Sequence, residues 1–164
     1  MSPRAAWRLE RLGFTDVSDY VAGKSDWLAA GLPTEGPGSS TPRPGGIARR
    51  DIATCRPDEN VGTARSRVEA SQWDRCVVVT DGRVVMGVLN ERALEGDDDI
   101  VAETAMQVGP TTVRADEDLG GLLHRMHEHR VASMLVTDPD GRLLGVLLRD
   151  DADSAVPGHP WTEG

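Results

Sequence analysis

The sequence predicts an α/β (α+β) protein: two copies of one β-α-β-β-α unit packed against each other, with a short helix-strand-helix segment ahead of them. Three observations carry this reading. Stretches beginning at Pro57 and at Arg114 match in order and in register, with a repeat spacing of about 58 residues. Within each stretch, helical apolar spacing gives way to short apolar runs bounded by turn residues, the mark of a helix followed by strands. Hydrophobic residues make up 38% of the chain and aromatic ones only 4%, so Val, Leu, Ala and Met must fill any core.

In chain order, Ala5, Leu9 and Leu12 recur at helical spacing and Gly13 follows as a C-cap. Phe14, Val17 and Tyr20 are the large groups of a partly alternating strand, "FTDVSDYV". "GKSDWLAAGLP" then reads as a short helix capped by Ser25 or Asp26. Residues 1–33 form this segment. Residues 34–46, rich in Pro, Gly and Ser, read as a linker with almost nothing to bury. Repeat 1 occupies residues 47–98 and repeat 2 residues 99–155, and residues 156–164 form a loose tail.

Inside the repeats, Asp58-Glu59 aligns with Asp116-Glu117, an acidic cap ahead of an amphipathic helix (Val61–Ser71; Leu119–His129). A strand follows (Cys76–Val79; Ser133–Val136), then a Gly turn and a second strand (Val84–Leu89; Leu143–Leu147). "DIATCR" and "VGPTTV" each supply one more extended piece ahead of a copy. One such unit has too small a core to stand alone, so each copy is expected to bury the other's sheet face. The run "EGDDD" is expected to cap the helix that links the copies, and Trp73 to be a core or dimer contact at a helix end.

Charge and composition exclude several functions. The net charge is -9, and residues 51–155 hold 21 acidic against 11 basic residues, a field that repels phosphate backbones. Cys55 and Cys76 form no CxxC pair, as in a chain kept reduced. The polar opening "MSPRAAWRLERLG" is no signal peptide, and no apolar run approaches the roughly 18 residues of a membrane span. A cytoplasmic protein that binds neither nucleic acid nor membrane is expected. His124 and His127 share a helix face without a second-ligand pattern, so no metal is expected. Cys76 reads as a core residue and Cys55 as a half-buried bystander. No Ser-His-Asp order, phosphate loop or GxGxxG motif supports an enzyme.

The pattern "VTDxxGRLxGVLxRxD", which closes the repeated unit, resembles a tandem pair of CBS domains, a Bateman module, over residues 47–155. The resemblance implies a non-enzymatic regulatory module with two clefts related by a pseudo-twofold axis. It implies adenosine ligands: AMP, ADP, ATP or S-adenosylmethionine. It also implies a disc-like homodimer formed through the helices. That family's ligand motif is Gly, two apolar residues, Ser or Thr, any two, then Asp or Asn. In the first copy Gly87-Val88-Leu89 is followed by Asn90, which can cap a helix, and the ribose position is Ala93, which cannot hold a diol. In the second, Gly145-Val146-Leu147 is followed by Leu148, which cannot cap, and the ribose position is Asp151. The second cleft is therefore the expected site, with Asp151 on ribose, Thr111 and Thr112 near the base and Arg149 on phosphate. Asn90 and Thr54 are the candidates for the first. The alternative is an interaction module with non-functional clefts.

Residues 2–36, with "LGF", "AGK" and "GLP", resemble the C-terminal end of a rhodanese domain. That resemblance implies a sulfur-carrying cysteine loop just before Ser2, and no cysteine precedes Cys55. A remnant of a sulfurtransferase is the weakest reading, and Phe14, Tyr20, Trp27 and Leu32 would need a surface to bury against.

Overall fold

Helix α1 (Pro3–Arg11) stops because Gly13 takes a left-handed conformation, φ 95°. Gly13 N–H donates to Glu10 O at 3.0 Å and Phe14 N–H to Leu9 O at 3.3 Å, the two bonds of a Schellman cap. The structure, a computed structural model, describes residues 3–17, 23, 26–27, 32, 42–71 and 73–156. The expected strand is not found at residues 14–17, which are irregular, and its remainder lies outside the described residues. Gly23, Asp26 and Trp27 are helical, and the Ser25 cap is outside the described set. Phe14 is 58% exposed, so within the described chain it has not found the burial surface expected of it, whereas Trp27 is half-buried. Tyr20 lies outside the described residues.

Repeat 1 runs β1 (Ala53–Cys55), α3 (Val61–Glu69), β2 (Cys76–Val79), β3 (Val85–Leu89) and α4 (Glu91–Leu94). Repeat 2 runs β5 (Thr112–Arg114), α6 (Leu119–Glu128), β6 (Ser133–Thr137), β7 (Leu143–Leu148) and α7 (Arg149–Ala155). This is the predicted order. Ahead of β1 lies the helical turn α2 (Pro44–Ile47); between α4 and β5 lie α5 (Ala102–Ala105) and β4 (Gln107–Val108). The sequence placed Pro44 and Gly45 in a linker with nothing to bury. Both are buried, because α2 seats on repeat 2 and Gly45 N–H donates to Ala115 O at 3.0 Å.

The first sheet has the order β1-β2-β3-β4 and the second β5-β6-β7. In each, the leading strand pairs parallel and the hairpin antiparallel. Alternation sorts the side chains. Cys76, Val78 and Leu89 pack toward the helices of repeat 1, and Met134, Val136 and Leu147 toward those of repeat 2. The opposite faces meet between the sheets: Val77, Val79 and Val88 against Leu135, Leu143 and Val146. Strands buried on both faces need the unbroken run "CVVV", and each copy buries the other's sheet face as expected.

The connecting segments cross over. Arg49, ahead of β1, bridges Val146 on β7 of repeat 2, with N–H···O distances of 2.8 and 2.9 Å. Its counterpart in the other copy, Gln107 in β4, pairs with Val88 on β3 of repeat 1. Such close approach needs glycine beneath it. A Cβ on Gly145 would lie 2.4 Å from Arg49 O, and one on Gly87 would lie 2.8 Å from Gln107 O. The hairpin tips also pair with each other: Val85 N–H donates to Gly141 O at 3.1 Å and Leu143 N–H to Arg83 O at 2.9 Å. Arg83, at φ 62°, takes the left-handed place that Gly141 holds in the second copy. That conformation costs a non-glycine residue about 1–2 kcal/mol.

The predicted pairs Asp58-Glu59 and Asp116-Glu117 are not the caps of these helices. Asn60 caps α3 by accepting from Thr63 N–H, and Asp118 caps α6 by accepting from Gly121 N–H. Glu59 and Glu117 reach along the helix to Arg67 and Arg125, eight residues on in both copies. Nor does the acidic run 95–99 cap the linking helix α5, whose N-cap is Val101. Arg65 gathers it instead, binding Asp98 and the carbonyls of Leu94 and Gly96.

Candidate functional site

Asn90 closes β3 and accepts from Ala93 N–H at 3.0 Å, capping α4. Leu148 caps α7 with its backbone alone, as its side chain dictates. Beside Asn90 a cavity of about 200 Å³ opens between the repeats. Its deep wall is apolar, with Val88 and Leu135 both buried. Trp73, Pro110 and Val131 extend that wall toward the mouth. The polar lining is Asn90, Gln107, Thr111 and Ser133, half-buried or exposed, with Arg75 as its one charged group.

The crossover decides which candidates meet. Because the segment after α5 lies on repeat 1, Thr111 comes to Asn90 in the first cleft and not to Asp151 in the second. Thr112 pairs with Leu135 in the second sheet and is exposed outside the cavity lining. Thr54, in the middle of β1, pairs with Val77, and its carbonyl accepts from Arg67 at 2.8 Å. Arg149 opens α7, with its N–H on Ala132 O at 2.9 Å. Neither Thr54 nor Arg149 lines the cavity.

Asp151 faces Arg49, which was not a candidate. The guanidinium makes a two-point contact, Nε to Oδ2 at 2.6 Å and Nη2 to Oδ1 at 2.8 Å. The positions that correspond to Asn90 and Thr111 are apolar here, Leu148 and Ala53, whereas Ser133 corresponds to Arg75. Ile52, which corresponds to Pro110, and Leu148 pack on the cluster between the sheets. The second cleft thus places the Arg49–Asp151 ion pair beside apolar Leu148 and Ile52, and the first opens the cavity.

The Arg49 hydrogen bonds hold the Asp151 carboxyl below its ordinary 3.8. A carboxylate with a lowered folded pKa stabilises the fold above its unfolded value and loses that contribution as pH falls through the folded one. Glu59 behaves alike, held down by its hydrogen bond from Arg67. Urea midpoints should therefore fall as pH drops below about 4. The Asp151→Asn variant should lose part of that acid sensitivity, and an unchanged pH profile would contradict the assignment.

The cysteines are structural. Cys55 is 1% exposed, not half-buried, because β1 is covered by α3. The neighbouring Cys55 thiol, together with burial, pushes the Cys76 thiol up. His127 Nε2 lies 2.9 Å from Asp153 Oδ1, and among the described residues no His/Cys/Asp/Glu group is able to hold a metal. No helix among them is long and apolar enough to cross a membrane. Trp73, Arg75, Gln107 and Ser133 were missed. Trp73, read as a core or dimer contact, does pack half-buried on the cluster between the sheets, and it also lines the cavity.

The CBS domain family matches residues 45–94 and again residues 99–158. An uncharacterized protein of Methanopyrus kandleri, MK0525, is 23% identical over 121 residues, 69% of this chain and 62% of its own length. The cytosolic domain of the Mg2+ channel MgtE in complex with ATP superposes with a TM-score of 0.62 at 22% identity, over 70% of this chain and 48% of that one. CBS domains of a transcriptional regulator from Streptococcus pneumoniae superpose at 0.62 with 19% identity, over 69% and 98%. CBSX2 in complex with AMP superposes at 0.57 with 21% identity, over 66% and 90%. This chain therefore spans about three fifths of the Methanopyrus protein and half of the MgtE domain. The family matches begin at residue 45 and leave the rhodanese-like reading of the N-terminal segment unsupported. With two matched copies, reciprocal crossover segments and two sheets packed face to face, the chain belongs to the CBS-domain family and carries the domain as a tandem pair.

Proposed function

We propose that this CBS pair is a non-enzymatic regulatory module that binds one adenine nucleotide in the cleft beside Asn90 and signals its occupancy to a partner. The observation that carries this reading is the cavity itself: a buried apolar wall for a ring, Trp73 at its side, and a single cation, Arg75, for a phosphate. The solved structures with ATP and AMP named above support the choice of ligand. At about 200 Å³ the space lies below the ~300 Å³ of most small-molecule sites, which favours a mononucleotide with its phosphate at the mouth. S-adenosylmethionine carries cationic groups and meets no carboxylate in the lining.

AMP at 100 times its dissociation constant should stabilise the protein by about 2.7 kcal/mol, read as a rise in melting temperature. S-adenosylmethionine should give no rise. Thr111→Trp fills the cavity from its exposed rim and should abolish the AMP response, while Asp151→Ala should leave it. No response to AMP, ADP or ATP at millimolar concentration sinks the reading. It would favour the second one, an interaction module without ligands, which the ion pair and apolar side chains of the second cleft support. The homodimer through the helices belongs to this proposal, and light scattering should give twice the chain's 17.6 kDa.

A further inference from the structure

We infer that the cavity beside Asn90 reads a ring and one anionic group and does not read the hydroxyls of a sugar, so that it takes ribo- and deoxyribonucleotides alike. The inference rests on the nucleotide reading above and specifies its ligand class. A site rejects a ligand lacking a hydroxyl when a buried polar group is thereby left without a partner. A polar group that water still reaches loses little, because water replaces the missing hydroxyl. Here the lining divides sharply. The buried members, Val88 at 7% exposure and Leu135 at 3%, are both apolar. The polar members are all in reach of solvent: Gln107 and Thr111 exposed, Asn90 and Ser133 half-buried.

The charges agree with this division. A vicinal diol is held best by a carboxylate, which accepts from both hydroxyls, and none lines this cavity. Of the uncharged acceptors in the lining, Asn90 Oδ1 is engaged by Ala93 N–H at 3.0 Å, and Gln107 and Thr111 are exposed. Asp151 lies at the other cleft and is held there by Arg49. Arg75 remains as the charged determinant: it lies over the Trp73 ring, 3.7 Å from the exposed Asp74 carboxylate, and its side chain is 45% exposed, suited to exchange that surface partner for an anion at the mouth.

Isothermal titration of the full chain with AMP, 2′-deoxy-AMP and adenosine tests this directly. AMP and 2′-deoxy-AMP should bind within threefold of each other. Adenosine should bind several-fold more weakly than AMP, and Arg75→Gln should remove that difference. A preference for AMP over 2′-deoxy-AMP above threefold overturns the inference and leaves the nucleotide reading standing. Binding of AMP and adenosine with equal affinity overturns the role of Arg75. If none of the three binds, the inference and the reading on which it rests fall together.

Discussion

Gly145→Ala is expected to destabilise the protein by about 3 kcal/mol, the upper part of the range for forcing an extra methyl group into a filled site. The added Cβ would stand 2.4 Å from Arg49 O and 3.1 Å from Ala48 Cβ. The near atom is backbone, so no rotamer change relieves the clash. Either β7 bends or the segment bearing Arg49 lifts away and gives up both hydrogen bonds to Val146. The melting temperature should fall by about 6–12 °C. Gly87→Ala is the matched control. There the nearest atom is Met106 Sδ at 2.6 Å, the mobile end of a flexible side chain, with Gln107 O next at 2.8 Å. Its loss should be smaller. A Gly145→Ala protein as stable as wild type, within the spread of ordinary surface substitutions, would mean that the crossover segment does not lie tightly on β7.

Leu135→Ala should cost about 2–3 kcal/mol, the lower half of the range for truncating a buried leucine. Leu135 is 3% exposed and belongs to the cluster between the sheets. It also forms the floor of the cavity, so the space left by its side chain opens toward solvent and is partly relieved by water or collapse. The same change removes part of the wall that a ring would cover. Urea unfolding should show the lower midpoint, and titration should show weaker AMP binding in the folded variant. Loss of stability with unchanged AMP affinity would place the nucleotide elsewhere.

The repeat, the strand and helix order and the two-sided burial of "CVVV" were legible because each has a local signature. Asn90 and Leu148 were also legible: one side chain can cap a helix and the other cannot, and the structure follows both. The pairing of candidates was not legible. Thr111 lies in repeat 2, directly ahead of β5, and was therefore assigned to the cleft of Asp151. The fold hands its segment to repeat 1. Nothing local in "VGPTTV" says which sheet edge it will join. Arg49 and Asp151 are 102 residues apart, and their pairing follows only once the crossover is known. The reading of Glu59 and Glu117 as caps failed for a nearer reason: Asn60 and Asp118, one position later, occupy the cap, and the glutamates then extend along the helix to arginines.

The two crossover segments also govern how the molecule comes apart. Had each repeat completed its own sheet, the halves could melt separately. Here removal of repeat 2 strips Arg49 of its partner on β7, and removal of repeat 1 strips Gln107 of its partner on β3. Neither half retains a full set of backbone partners without the other. Residues 44–156 should therefore unfold in one cooperative transition, with calorimetric and van't Hoff enthalpies equal for that body. A ligand held in a single cleft would then protect both halves to the same degree against proteolysis or hydrogen exchange.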